Sequence, residues 1–100
     1  MISKVDHIWE WKNWEISWSL SNNSLNNSET NILLIHGFGA SKNHWRYNQK
    51  FLGQYFNCYA IDLLGFGESS QPSATLDYEF TKDNEVKYCF DLWANQITDF

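Results

Sequence analysis

The residues best suited to chemistry are His36-Gly37-Phe38-Gly39, which directly follow the aliphatic run Ile32-Leu33-Leu34-Ile35. Glycines at 37 and 39 let the backbone approach a ligand closely and present its N–H groups. Such groups stabilise a negative oxygen as it forms in acyl transfer, and they can also cradle a phosphate. A second glycine-rich turn, Asp62-Leu63-Leu64-Gly65-Phe66-Gly67-Glu68-Ser69-Ser70-Gln71-Pro72, has the only proline of the chain. The phosphate reading lacks its signatures: there is no G-x-x-x-x-G-K-[ST], and Gly65-Phe66-Gly67 lacks the third glycine of a dinucleotide fingerprint. His36 is a candidate general base, because histidine changes charge near neutrality. Asp62 is a candidate acid. Ser69 and Ser70 are candidate nucleophiles, but no G-x-S-x-G occurs, so neither has the sharp turn that exposes and activates a serine.

The elements that must position these residues follow from the apolar spacing. Trp9 and Trp11, then Trp14, Ile16, Trp18 and Leu20, alternate with polar residues, the period of half-buried strands. Lys12-Asn13 supplies a turn between them, giving a β-hairpin within residues 1–21. Four tryptophans in this stretch fit a surface that stacks on sugars or aromatic ligands; the regular alternation favours one face packed on a core. Residues 22–30 are almost all polar and read as a loop. Ile32 to Ile35 reads as a parallel strand covered on both faces. Ser41 can cap a helix reaching about Gln54, with Trp45, Leu52 and Tyr55 on one face. Phe56 to Ile61 reads as a second buried strand, so residues 31–72 form a βαβ unit ending in the second turn. Residues 73–88 show no firm element. Phe90, Trp93, Ile97 and Phe100 form the apolar stripe of a helix, with Asp91 in its first turn, so residues 73–100 are a connection and a helix.

Composition narrows the functions. Seven Lys and Arg against twelve Asp and Glu give a net charge of -5, which argues against nucleic acid or anionic membrane as partner. Of the 100 residues, 43% are hydrophobic and 19% charged, so the chain is not disordered by composition. No apolar run approaches the ~20 residues that span a bilayer, and residues 1–7 have no apolar signal core. The expected location is cytoplasmic, with Cys58 and Cys89 as reduced thiols; a Cys58–Cys89 bridge is the alternative. Neither cysteine has the close Cys or His neighbours of a zinc site.

Three motifs together carry a resemblance: His36-Gly37-Phe38-Gly39-Ala40-Ser41, then His44-Trp45-Arg46, then Asp62-Leu63-Leu64-Gly65-Phe66-Gly67-Glu68-Ser69. They resemble the N-terminal part of an α/β-hydrolase, and within that superfamily the pheophytinase-like hydrolases of cyanobacteria and chloroplasts. The resemblance implies an α/β fold class in which an antiparallel hairpin leads into the βαβ unit and then the helix preceding the nucleophile strand, truncated there. It implies a hydrolase of a small hydrophobic carboxylic ester, such as the phytol ester of a chlorophyll derivative, with a Ser-His-Asp mechanism and no cofactor or metal. A dehalogenase or epoxide hydrolase with an Asp nucleophile is the alternative within the fold. A non-catalytic Trp-rich binding module is the alternative outside it.

The resemblance also assigns roles by position. The Phe38 backbone N–H contributes to the oxyanion hole, while its ring lines an apolar pocket. His36 holds the loop by hydrogen bonding, supported by Gly37 and Gly39, and is not the base, because the family's catalytic His lies near the C-terminus. Asp62 braces the Gly65–Ser69 turn through backbone amides, since the family's acid follows a later strand. Ser69 and Ser70 are turn residues, and His44 and Arg46 are structural. Nucleophile, acid and base have no counterpart in this chain, so half an oxyanion hole remains and the 100 residues alone are expected to be inactive. The strand at 32–35 would lie beside the absent nucleophile strand with a bare apolar edge, so an isolated chain that is marginal, molten or prone to aggregate is expected.

Overall fold

A computed structural model of the chain describes residues 2–74 and 85–100. The hairpin is longer than its tryptophan alternation suggests. Strands β1 (Ile2–Trp11) and β2 (Trp14–Asn23) pair antiparallel without interruption, from Ile2 opposite Asn23 to Trp11 opposite Trp14. The turn is Lys12-Asn13, with φ of 50° and 70°, the left-handed pair that matches the twist of the flanking strands. The added length carries no alternation: Ser3 to Ile8 are exposed, and this part of β1 is held by its ladder to β2.

Strand β3 (Asn31–Ile35) and strand β4 (Asn57–Ile61) pair in parallel, Asn31 beside Asn57 and Ile35 beside Ile61. Between them come a 3-10 turn at Lys42–Trp45 and helix α1 (Arg46–Leu52), so the expected βαβ unit is present. Strand β2 also pairs antiparallel with β4, from Trp18 opposite Ile61 to Ser21 opposite Cys58, and the sheet order is β1-β2-β4-β3. That order puts β3 at an edge. Its residues 32–34 are only half-buried and Ile35 is 39% exposed, which corrects the reading of a strand covered on both faces.

Strand β2 lies inside the sheet and is covered on both sides. Its even face packs Ile16 with Trp11, Ile61, Leu64 and Val86, so the tryptophan face does meet a core. Its serine face is not solvated: Ser17, Ser19 and Ser21 are all buried. Small side chains there admit α1, whose end at Gly53 would push a Cβ into Ser21. The helix differs from the expected one accordingly. Ser41 does cap the turn, accepting from the Asn43 N–H, but the inward residues are Lys42 and Gln49, seven apart. Gln49 Nε2 donates to Cys58 O and Ser19 Oγ, each at 3.0 Å, while Tyr55 lies past the helix and is exposed.

Of the stretch 73–88, residues 75–84 lie outside the described residues. On either side, β5 (Ser73–Ala74) and β6 (Glu85–Val86) form a short parallel pair. Helix α2 (Phe90–Asp99) carries Asp91 in its first turn as expected. Its most buried residue, however, is Gln96, whereas Phe90 at the head of the expected stripe is 88% exposed. Both cysteines are free thiols; Cys58 is buried, and burial pushes its thiol up from the ordinary value of 9.0. Among the described residues, no helix is long and apolar enough to cross a membrane.

Candidate functional site

The two glycine-rich turns follow the carboxyl ends of β3 and β4, which lie side by side. In open α/β sheets that end of the strands is where ligands bind. His36 fixes the first turn to the second. It is buried, its Nδ1 lies 2.7 Å from Gly37 O, and its Nε2 accepts the Leu63 N–H at 3.0 Å. An accepting Nε2 leaves the ring proton on Nδ1, which donates to the carbonyl. With both nitrogens engaged, His36 ties the two turns to each other.

The turn itself is closed by the Ala40 N–H donating to Gly37 O at 3.1 Å, with Gly39 at φ 78°. Phe38 sits at its tip, 88% exposed, with the Phe66 ring edge-on to it at 5.3 Å and edge-on to His36 at 5.4 Å. No hydrogen bond engages the Phe38 N–H among the described residues. Phe38 and His36 border a cavity of about 340 Å³ whose further walls are Ile35, Phe66, Trp93 and Ile97. A larger groove of about 560 Å³, between Trp9, Trp18, Tyr59 and Phe100, shares no residue with either turn.

Asp62 braces the second turn and also reaches back to the first. Its fully buried carboxylate accepts the Glu68 N–H at 3.0 Å and the Lys42 N–H at 2.6 Å, and pairs with Lys42 Nζ at 3.1 Å. Lys42 is itself 2% exposed and makes a second ion pair, to Glu68, at 2.9 Å. Burial works to lower the Lys42 ammonium, but the hydrogen bonds and charges of Glu68 and Asp62 outweigh it and hold the group above 10.5. Gly67, at φ 56°, packs its backbone against the Asp62 carboxylate where a Cβ would collide.

The serines are anchors. Ser69 Oγ donates to Asp62 O at 2.8 Å and accepts the Ser17 N–H at 2.9 Å; Ser70 Oγ accepts the Glu15 N–H at 2.9 Å. Together they fasten the second turn to β2. His44 and Arg46 lie on the surface, Arg46 donating to Asn43 O at 3.0 Å. Sequence reasoning missed Lys42, Gln49 and Gln96. The seven-residue spacing of Lys42 and Gln49 is the one trace of them in the sequence, since both side-chain types are ordinarily exposed. Among the described residues, no group of three or more His, Cys, Asp or Glu could hold a metal ion.

The model of the alpha/beta hydrolase fold family matches residues 30–98. The chain belongs to that family. Its hairpin, mixed sheet and flanking helices are the N-terminal region of the α/β-hydrolase fold. Among its relatives is the (lyso)-N-acylphosphatidylethanolamine lipase of Homo sapiens, 33% identical over 69% of this chain and 20% of the relative. Among solved structures, a bacterial membrane phospholipase A superposes with a TM-score of 0.62 and 32% identity, over 78% of this chain and 23% of that one. A haloalkane dehalogenase from Bradyrhizobium elkanii covers 95% of this chain and 27% of its own, with a TM-score of 0.70. Its 20% identity shows the shared fold alone. The chain spans about a fifth of the length of the curated relatives it matches.

Proposed function

We propose that this chain is the N-terminal part of a longer hydrolase that cleaves a carboxylic ester of a hydrophobic substrate, and that Phe38 supplies one N–H of its oxyanion hole. A serine nucleophile outside these residues attacks the ester carbonyl carbon, assisted by a His and an Asp that also lie outside them. The carbonyl oxygen becomes an oxyanion held by the Phe38 N–H and by the amide that follows the nucleophile. The alcohol then leaves, and water hydrolyses the acyl-enzyme. The observation that carries the reading is the Phe38 N–H, without a hydrogen-bond partner among the described residues, on a turn pinned at the end of β3 and bordering an apolar cavity. Relatives named as a lipase and a phospholipase support an acyl ester as the bond cleaved.

The finer substrate we favour is the phytol ester of a chlorophyll derivative, on the His-Gly-Phe-Gly-Ala-Ser, His-Trp-Arg and Asp-Leu-Leu-Gly-Phe-Gly motifs. The reaction needs no cofactor or metal. Two unpaired thiols go with a cytoplasmic location. The 100 residues alone, without nucleophile, acid and base, are expected to turn over no ester.

Ester assays on the parent hydrolase test this. Phe38→Pro removes the N–H and is expected to lower kcat by about 10²- to 10³-fold. Phe38→Ala keeps the N–H, so it should keep most of kcat and raise KM for long acyl or alcohol chains. Equal kcat in the two variants would overturn the role of the amide. Halide release from a haloalkane without ester turnover would replace the ester reading.

A further inference from the structure

Lys42 is 2% exposed, more deeply buried than Trp11, Leu63 or Val86 of the core, yet nothing in a plain βα connection requires a lysine there. Its backbone and side chain grip the same carboxylate, Asp62, and its Nζ also holds Glu68. Asp62 begins the second glycine turn, and Lys42 is separated from the tip of the first by only Gly39, Ala40 and Ser41. The chain between His36 and Lys42 is therefore tied to the second turn at both of its ends. His36 makes the tie to Leu63 at one end, and Lys42 makes the tie to Asp62 and Glu68 at the other. Phe38 lies between these two anchors. A segment with two glycines, one of them at positive φ, has many other conformations open to it, so its shape depends on its anchors.

We propose that Lys42 is a positioning residue, which clamps the end of the 37–41 turn on the Asp62 loop and so aims the Phe38 N–H at the reacting carbonyl. The proposal rests on the oxyanion reading of Phe38. Catalytic donors must be held to within a fraction of an ångström, and a displacement of about 1 Å can cost about a hundredfold in rate. Lys42 touches no reacting atom in this scheme; it acts through the loop.

The test uses the parent hydrolase with Lys42→Arg, Lys42→Met and Lys42→Met/Asp62→Asn. The double variant is included because Lys42→Met alone leaves a buried unpaired carboxylate and can fail to fold. Three readouts are taken: kcat and KM for an ester, exchange of the Ala40 amide proton, and exchange of the β4 amides as a control. The expected result for the folded double variant is a loss of tenfold or more in kcat with KM within about twofold. Ala40 exchange is expected to rise about tenfold while β4 exchange is unchanged. Lys42→Arg, which keeps the charge, is expected to recover most of the lost kcat. Unchanged Ala40 exchange in a folded double variant overturns the proposal, and so does unchanged kcat alongside a costly Phe38→Pro. A silent Phe38→Pro overturns the oxyanion reading itself, and the proposal with it.

Discussion

Gln96, fully buried in α2, accepts the Leu64 N–H on its Oε1 at 2.8 Å. Its Nε2 donates to Asp62 O at 3.2 Å, and the neighbouring Trp93 Nε1 donates to Leu64 O at 3.0 Å. These hydrogen bonds hang the helix on the second glycine turn, alongside the ring contacts of Trp93 and Phe100. Removing the amide should leave the buried Leu64 N–H unsatisfied, while Asp62 O keeps the Ser69 hydroxyl. Gln96→Ala and the nearly isosteric Gln96→Leu are both expected to destabilise the protein by about 2–3 kcal/mol. Urea unfolding with an unchanged slope measures this. A Gln96→Leu protein as stable as wild type would show that these bonds hold nothing.

Much of the frame was legible in the sequence, for local reasons. The alternation of Trp14, Ile16, Trp18 and Leu20, the Lys12-Asn13 turn and the run Ile32–Ile35 each encode their element within a few residues. His36, Asp62, Ser69 and Ser70, which the motifs singled out, each make hydrogen bonds that involve the two turns. What stayed hidden were buried polar residues whose partners are distant in the chain. Ser19 meets Gln49, Lys42 meets Asp62, and Gln96 meets Leu64, at separations of 20 to 32 residues. No periodicity reports such pairs, and hydropathy assigns each of them to solvent. The bare edge of β3 was expected from the resemblance and not from local pattern, because an aliphatic run looks the same at an edge and at the centre of a sheet.

Gly67 tests how tightly the Asp62 hub is packed. Its φ of 56° costs an L-residue about 1–2 kcal/mol, and a Cβ there would also strike the Asp62 carboxylate. Gly39 has a comparable φ of 78° but open space around it. Gly39→Ala is expected to cost only the backbone strain, and Gly67→Ala clearly more, with the additional loss appearing as a lower Tm. Equal melting of the two variants would mean that the Asp62 contact yields freely.

Alkaline pH should unmask the buried thiol. Burial raises the Cys58 pKa in the folded state, while in the unfolded chain it stays near 9.0. Above pH 9.0 the unfolded chain loses a proton that the native one keeps, so stability falls as pH rises. The stability difference between wild type and Cys58→Ala is expected to be flat below pH 9.0. Above it, the wild type should lose ground by up to ~1.4 kcal/mol per pH unit until the native thiol ionises. Lys42, also raised, acts with the same sign: its ion pairs contribute fully below pH 10.5 and are lost as pH rises through the higher native value. Paired pH series of urea unfolding check both, and a difference between wild type and Cys58→Ala that does not move up to pH 11 would refute the thiol's part.

The edge position of β3 sets the behaviour expected of the 100-residue chain on its own. In the order β1-β2-β4-β3, one side of β3 offers unpaired N–H and C=O groups next to half-buried Ile32, Leu33 and Leu34 and the more exposed Ile35. Such an edge is a template for a further strand, and in the absence of one a second copy can supply it. The sheet has one flank short of packing, so the fold has less apolar burial to set against its chain entropy. The isolated chain should therefore unfold over a broad urea range by circular dichroism, and scatter light increasingly with concentration. Ile35→Lys, which places a charge beside the open edge, should suppress the scattering without sharpening the unfolding. A sharp cooperative transition in a chain that sedimentation shows to be monomeric would contradict this, because it would mean that the sheet is stable with β3 exposed.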